Sequence, residues 1–149
     1  MLRSSCAHPI NTRSQVFNPN LGRLRSELSA SHSRGELDAF GLYIYGVVLK
    51  ELLQQDSSSS LSPPSPSLLH QTKDALVSSI LSYPYNWSAW LDLAEICVEN
   101  TAIHDEVEQK LEALTDGWMY LFFLAHVFCE QQQNDQALQV RWRARADEP

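Results

Sequence analysis

The side chains that most often carry chemistry gather in the last third of this chain. His126 and Cys129 stand three residues apart, a spacing that would turn two ligands toward one face of a helix. A zinc site needs two further ligands at suitable spacing, and none follows. The pair therefore reads as a structural histidine and a buried or half-buried thiol. Asp105, Glu106, Glu108 and Glu112 make an acidic helix face. With a helix expected from residue 104, the first two also suit its positive end. No acid–base partner can be placed against them, so a solvated face is expected. The phosphate-cradling G-x-x-x-x-G-K, the zinc-protease H-E-x-x-H and the nucleophile elbow G-x-S-x-G are all missing from the sequence. No catalytic residue, metal ligand or cofactor is expected, and the chain does not read as an enzyme.

Composition narrows the classes further. The 149 residues hold 11 basic and 18 acidic side chains, for a net charge of −7. That argues against a nucleic-acid-binding body, which needs a basic patch. No run of 18 apolar residues suggests a membrane span, and MLRSSCAHPINTRSQ holds no apolar core of a secretory signal. Cys6, Cys97 and Cys129 are odd in number and widely spaced, which fits a reducing compartment rather than a disulfide framework. The sequon Asn86-Trp87-Ser88 is then accidental.

The elements that carry these residues are helical. Charge divides the chain into residues 1–37 at +3, 38–99 at −5 and 100–149 at −5. Residues 1–20 are polar and basic and read as a disordered lead, with an organellar transit peptide as the lesser alternative. Leu21, Leu24 and Leu28 predict a short helix over 21–33. Residues 56–68, DSSSSLSPPSPSL, hold too little apolar surface to order themselves and read as a flexible loop insertion. Ser62-Pro63 and Ser65-Pro66 make it a lesser candidate for phosphorylation. Helical periodicity runs through 38–53, 70–82, 87–99, 104–115, 118–132 and 135–146, and strand alternation is nowhere sustained. Paired helices with short turns predict an all-α array of hairpins.

A repeat underlies the array. The tetratricopeptide repeat (TPR) sets large residues at positions 4, 7 and 11 of its first helix and a small one at 8. Its second helix takes small residues at 20 and 27 and an aromatic or apolar residue at 24, and proline follows at 32. Small residues let the helices of a hairpin approach, and large ones fill the seam. From Trp118 these positions are Leu121, Leu124, Ala125, Phe128, Ala137, Ala144 and Pro149, with Arg141 out of pattern at 24. From Trp87 they are Trp90, Leu93, Ala94 and Cys97. That copy lasts 31 residues rather than about 34, so its second helix is short or its turn tight. Val107, Leu111 and Leu114 supply its apolar stripe. From Ala39 the positions are Leu42, Tyr45, Gly46 and Leu49, followed by Thr72, Leu76, Ser79 and Pro84. The surplus length of this copy matches the Ser/Pro insertion between its helices. The chain therefore divides into the lead, 1–20, and a TPR α-solenoid, 21–149, with repeats at 39–84, 87–117 and 118–149. LYIYGVVLKELL is large and apolar on nearly every side, which points to burial beyond one hairpin.

The text of the repeats is also specific. ELDAFGLYIYGVVL at 36–49, YPYNWSAWLDL at 83–93 and WMYLFFLAHVFCE at 118–130 resemble, in order and spacing, the Cdc23-type family of eighth subunits of the anaphase-promoting complex. The resemblance runs from about 21 to 145, including Leu24-Arg25-Ser26-Glu27-Leu28. It implies a non-catalytic TPR scaffold in a cullin-RING-type ubiquitin ligase that drives the metaphase–anaphase transition and mitotic exit. It implies contacts with other subunits of that complex, especially TPR subunits, a homodimer through N-terminal repeats, and residence in nucleus and cytoplasm. Family members are several times longer, so this chain reads as a fragment, isoform or truncated form. Its lead and insertion read as departures from the family, and coactivator-binding residues of later repeats cannot be carried over. A generic TPR adaptor that grips an acidic peptide tail is the alternative. It needs basic first-helix faces, where Lys50 is the main cation.

Overall fold

A computed structural model of the chain describes residues 18–59 and 65–146. Among these, seven α-helices and one 3-10 turn occur and no strand does. The expected all-α, TPR-type array is therefore what the chain forms. The disorder expected of 1–17, Cys6, Ser62-Pro63 and Pro149 lie outside the described residues.

The first helix, α1 (Leu21–Ser33), occupies the predicted range. It ends because Gly35 adopts a left-handed φ of 68°. There Gly35 N donates to His32 O at 3.0 Å and Glu36 N to Ser31 O at 3.0 Å, the paired bonds of a Schellman close. Asp38 then starts α2 (Ala39–Ser59) by accepting the Gly41 amide on Oδ1 at 2.7 Å. Its partner, α3 (Pro66–Ser82), opens with proline at the first helical position, where a missing N–H costs nothing. Pro84 stands just past its end and blocks continuation. The expected loop over 56–68 is therefore too long. Helix persists to Ser59 and resumes at Pro66. Serine is a modest helix former, and a nucleated helix extends through a short serine run at small cost.

The second hairpin pairs α4 (Trp87–Glu99) with α5 (Thr101–Lys110) across one residue, Asn100. Extended backbone at Asn100 (φ −139°, ψ 97°) turns the chain, and its carbonyl accepts Ile103 N and His104 N, both at 3.1 Å. Tight turn and short helix together account for the 31-residue spacing. They also correct the expected helix over 104–115, which starts earlier, at Thr101, and ends at Lys110, before a 3-10 turn at Glu112–Leu114. Asp105 and Glu106 consequently lie mid-helix and do not serve its positive end. The third hairpin pairs α6 (Trp118–Glu130) with α7 (Asn134–Ala146).

The two helices of each hairpin pack on one another, α1 packs on α2, α3 packs on α4 and α5, and α4 packs on α6. The larger core runs from Leu76, Val77 and Ile80 of α3 through Trp90, Leu93 and Cys97 of α4 to Phe123 and Val127 of α6. A smaller core between α2 and α3 holds Tyr45, Leu49, Leu53, Leu68 and Ala75, with Leu28 of α1 packed against it.

Candidate functional site

What a hairpin array offers is surface, and the two junctions between hairpins define which surfaces are closed. The junction of the second and third hairpins is aromatic. The Trp90 ring lies 5.3 Å from Phe123 and 6.4 Å from Tyr120. Its Nε1 donates to Pro84 O at 2.7 Å, so the buried indole leaves no polar atom unpaired. His104 lies edge-on to Phe123 and Phe128, and its buried Nε2 sits 3.6 Å from a Glu108 oxygen without a hydrogen bond. Gln131 Nε2 donates to Cys97 O at 3.4 Å and ties the ends of α6 and α4 together.

The junction of the first and second hairpins adds charge to its apolar packing. The chain holds three lysines, and each crosses this junction. Lys50 of α2 pairs with Asp92, at 2.6 Å, and with Glu95, both on α4. Lys73 of α3 pairs with Glu106 of α5, and Lys110 of α5 pairs with Asp74 of α3 at 2.7 Å. The first helices are thus stitched on one face and the second helices on the other. The Lys73 side chain is 3% exposed, and its Nζ also meets His70 Nδ1 at 3.4 Å. Burial alone would depress the Lys50 pKa. Hydrogen bonds to Asp92 and Glu95 outweigh it and hold the pKa above the usual lysine range. Asp74 is likewise disfavoured by burial, yet Lys110 and Lys73 bring its pKa below the usual carboxylate value. The hydrogen bond and charge of Lys73 lower that of Glu106. Glu106 is therefore not part of a merely solvated face, which corrects the sequence-based expectation.

Among the described residues, open grooves include two beside α6. One, of about 640 Å³, runs between α6 and α7 and is lined by Leu121, Phe122, Ala125, Cys129, Ala137 and Leu138 among others. The other, of about 330 Å³, lies between α4 and α6 over Leu91 and Val98 and is edged by Glu95, Glu99, Glu130 and His126.

The repeat positions fall into three groups. Leu49, Leu76, Trp90, Leu93, Ala94 and Cys97 are at most 1% exposed. Tyr45, Gly46, Leu121 and Ala137 are buried, whereas Leu42, Pro84, Leu124, Ala125 and Phe128 are half-buried. The side chain of Ala144 lies outside the described residues. The contrast between α4 and α6 has a geometric cause. Trp90, Leu93, Ala94 and Cys97 lie inside the continuous core, while in α6 Leu121 and Ala125 line the open groove, Leu124 packs only partly on the core and Phe128 meets His104. Sequence reasoning missed the interhelical roles of Lys73, Lys110 and Asp74, and the fully buried Phe123. Phe123 was legible in principle, since Tyr120, Phe123 and Val127 keep helical spacing. His126 is half-buried and Cys129 is exposed, which corrects the buried or half-buried thiol expected there, and among the described residues no group of three or more His, Cys, Asp or Glu side chains is placed to hold a metal. Among those residues, no helix is long and apolar enough to cross a membrane.

Comparison with known proteins identifies this architecture. The profile of the family Anaphase promoting complex subunit 8 / Cdc23 matches residues 6–144. The match begins well before residue 21, so most of the basic lead falls inside the family region rather than outside it. Cell division cycle protein 23 homolog from Homo sapiens is 39% identical over 127 residues, 85% of this chain and 18% of that protein. Anaphase-promoting complex subunit 8 from Arabidopsis thaliana is 38% identical over 126 residues, again 85% and 18%. The protein of that name from Dictyostelium discoideum is 32% identical over 108 residues, 72% of this chain and 15% of its own length. This chain thus spans less than a fifth of the relatives it matches. With three stacked helical hairpins and a family match along nearly its whole length, the chain belongs to the anaphase-promoting complex subunit 8 / Cdc23 family.

Proposed function

We propose that the chain acts as a non-catalytic TPR scaffold segment of the anaphase-promoting complex, a cullin-RING-type ubiquitin ligase that ubiquitinates cell-cycle regulators at the metaphase–anaphase transition and mitotic exit. The observation that carries this reading is the subunit 8 / Cdc23 family match over residues 6–144, with relatives of both names aligned over 85% of the chain. The form of the molecule supports it. Its polar side chains stitch hairpins together, and its free surfaces are grooves and aromatic faces suited to protein contacts. Partners are other subunits of the complex, especially TPR subunits. A second copy is a further partner, and contact with the coactivator is not assigned to this short chain. The chain works in nucleus and cytoplasm.

The alternative, a generic adaptor for acidic tails, is disfavoured by Lys50. The cation such a tail would need is held by Asp92 and Glu95. Affinity purification of the tagged chain from dividing cells, followed by mass spectrometry, tests the proposal. Recovery of cullin-like, RING and TPR subunits is expected. A soluble, expressed chain that recovers none of them would overturn it.

A further inference from the structure

The open groove between α4 and α6 has a floor and a sign. Leu91, Glu95, Val98 and Glu99 follow one another at helical spacing along α4, and His126 and Glu130 face them from α6. Leu91 is 38% exposed although apolar, and Val98 is half-buried. Above this floor stand three carboxylates. Glu95 shares Lys50 with Asp92, while Glu99 and Glu130 have no ion-pair partner among the described side chains. No cation of α4 or α6 offsets them, because neither helix contains Lys or Arg. A solvated patch would need no apolar floor, and an apolar seam for another helix would not be edged with acid.

We propose that this groove docks a short basic peptide segment of another protein. Its arginine or lysine stems would lie on Leu91 and Val98, and its cationic heads would meet Glu95, Glu99 and Glu130. Long basic side chains suit such a surface because an aliphatic stem and a charged end are presented together. The sign also sets selectivity, since acidic segments are repelled by the same edge. The inference stands on the groove alone and does not depend on assembly into the ligase.

Fluorescence anisotropy tests it with the full chain and a fluorescein-labelled nonapeptide of alternating arginine and leucine at physiological ionic strength. The peptide should bind, and its counterpart with glutamate in place of arginine should not. Glu99→Lys with Glu130→Lys should weaken binding by about tenfold or more. Asp105→Lys with Glu112→Lys makes the same change in net charge at exposed positions on the second hairpin and should leave affinity within about twofold. Circular dichroism confirms that each variant folds. Equal loss in both double variants would reduce the effect to general attraction by an acidic chain and overturn the proposal. So would tight binding that appears only after residues 1–17 are deleted, because the chain's own lead would then be the occupant.

Discussion

Gly46 shows most directly how one residue sets the spacing of two helices. A Cβ built there would stand 2.7 Å from Leu76 Cδ2 and 2.9 Å from its Cγ. Leu76 is fully buried and has no room to retreat. Gly46→Ala should therefore cost about 1–3 kcal/mol in urea unfolding, despite alanine's better helix propensity. Gln132 makes the opposite case. It closes α6 at φ 60° with the same paired bonds that Gly35 makes after α1, Gln132 N to Cys129 O and Gln133 N to Phe128 O. Glycine removes the left-handed strain, so Gln132→Gly should raise stability by roughly 0.5–1 kcal/mol in the same assay. Cys97 makes stability depend on pH. Burial, with Glu108 adding to it, pushes its thiol from 9.0 up to about 12. In the unfolded chain the thiol ionises near its ordinary value, so above it the unfolded state binds fewer protons than the folded state. Stability then falls by roughly 1.4 kcal/mol per pH unit from about pH 9 toward 12. Urea unfolding across this range should show a steeper decline for the native chain than for Cys97→Ala.

At the scale of elements, the first junction can be separated into charge and shape. Glu106→Gln leaves the buried Lys73 ammonium short of its main partner and should lower the thermal unfolding midpoint, by less than loss of a fully buried pair because Glu106 is half-exposed. Lys73→Met keeps the stem and removes the charge, and should be near neutral in thermal unfolding. If the methionine variant is the more damaged of the two, the pair is a net stabiliser and this account of the junction is wrong. The sequence made the hairpins legible because their packing positions recur: Tyr45, Trp90 and Leu121 announce themselves by type and spacing. It hid the lysine stitches, because Lys73 and Glu106 are 33 residues apart and no local pattern links them. Helix ends were read poorly at 56–68 and 104–115. At 56–68 serine propensity alone does not reveal the helices that extend into the run from either side, and before 104 the single-residue turn at Asn100 carries no glycine or proline to mark it.

For the whole molecule, Trp90 joins all three hairpins. It is held by Pro84, belongs to the core that begins at Leu76, and meets the Phe123 ring at a tilt. Trp90→Ala should cost roughly 3–5 kcal/mol and loosen the array as a unit, and a loss below ~1 kcal/mol would contradict the register. The candidate surfaces were less legible than the fold. The acidic edge of the α4/α6 groove combines Glu95 and Glu99 with Glu130, residues that only the stacking of two repeats brings together. The central claim is that this stacked unit works inside the anaphase-promoting complex. It is tested most directly by fractionating an extract of dividing cells that express the tagged chain on a sedimentation gradient. The account predicts that the chain travels with the heavy fractions that ubiquitinate cyclin and that Trp90→Ala shifts it to light fractions. A stable, folded native chain found wholly among the light fractions would contradict it.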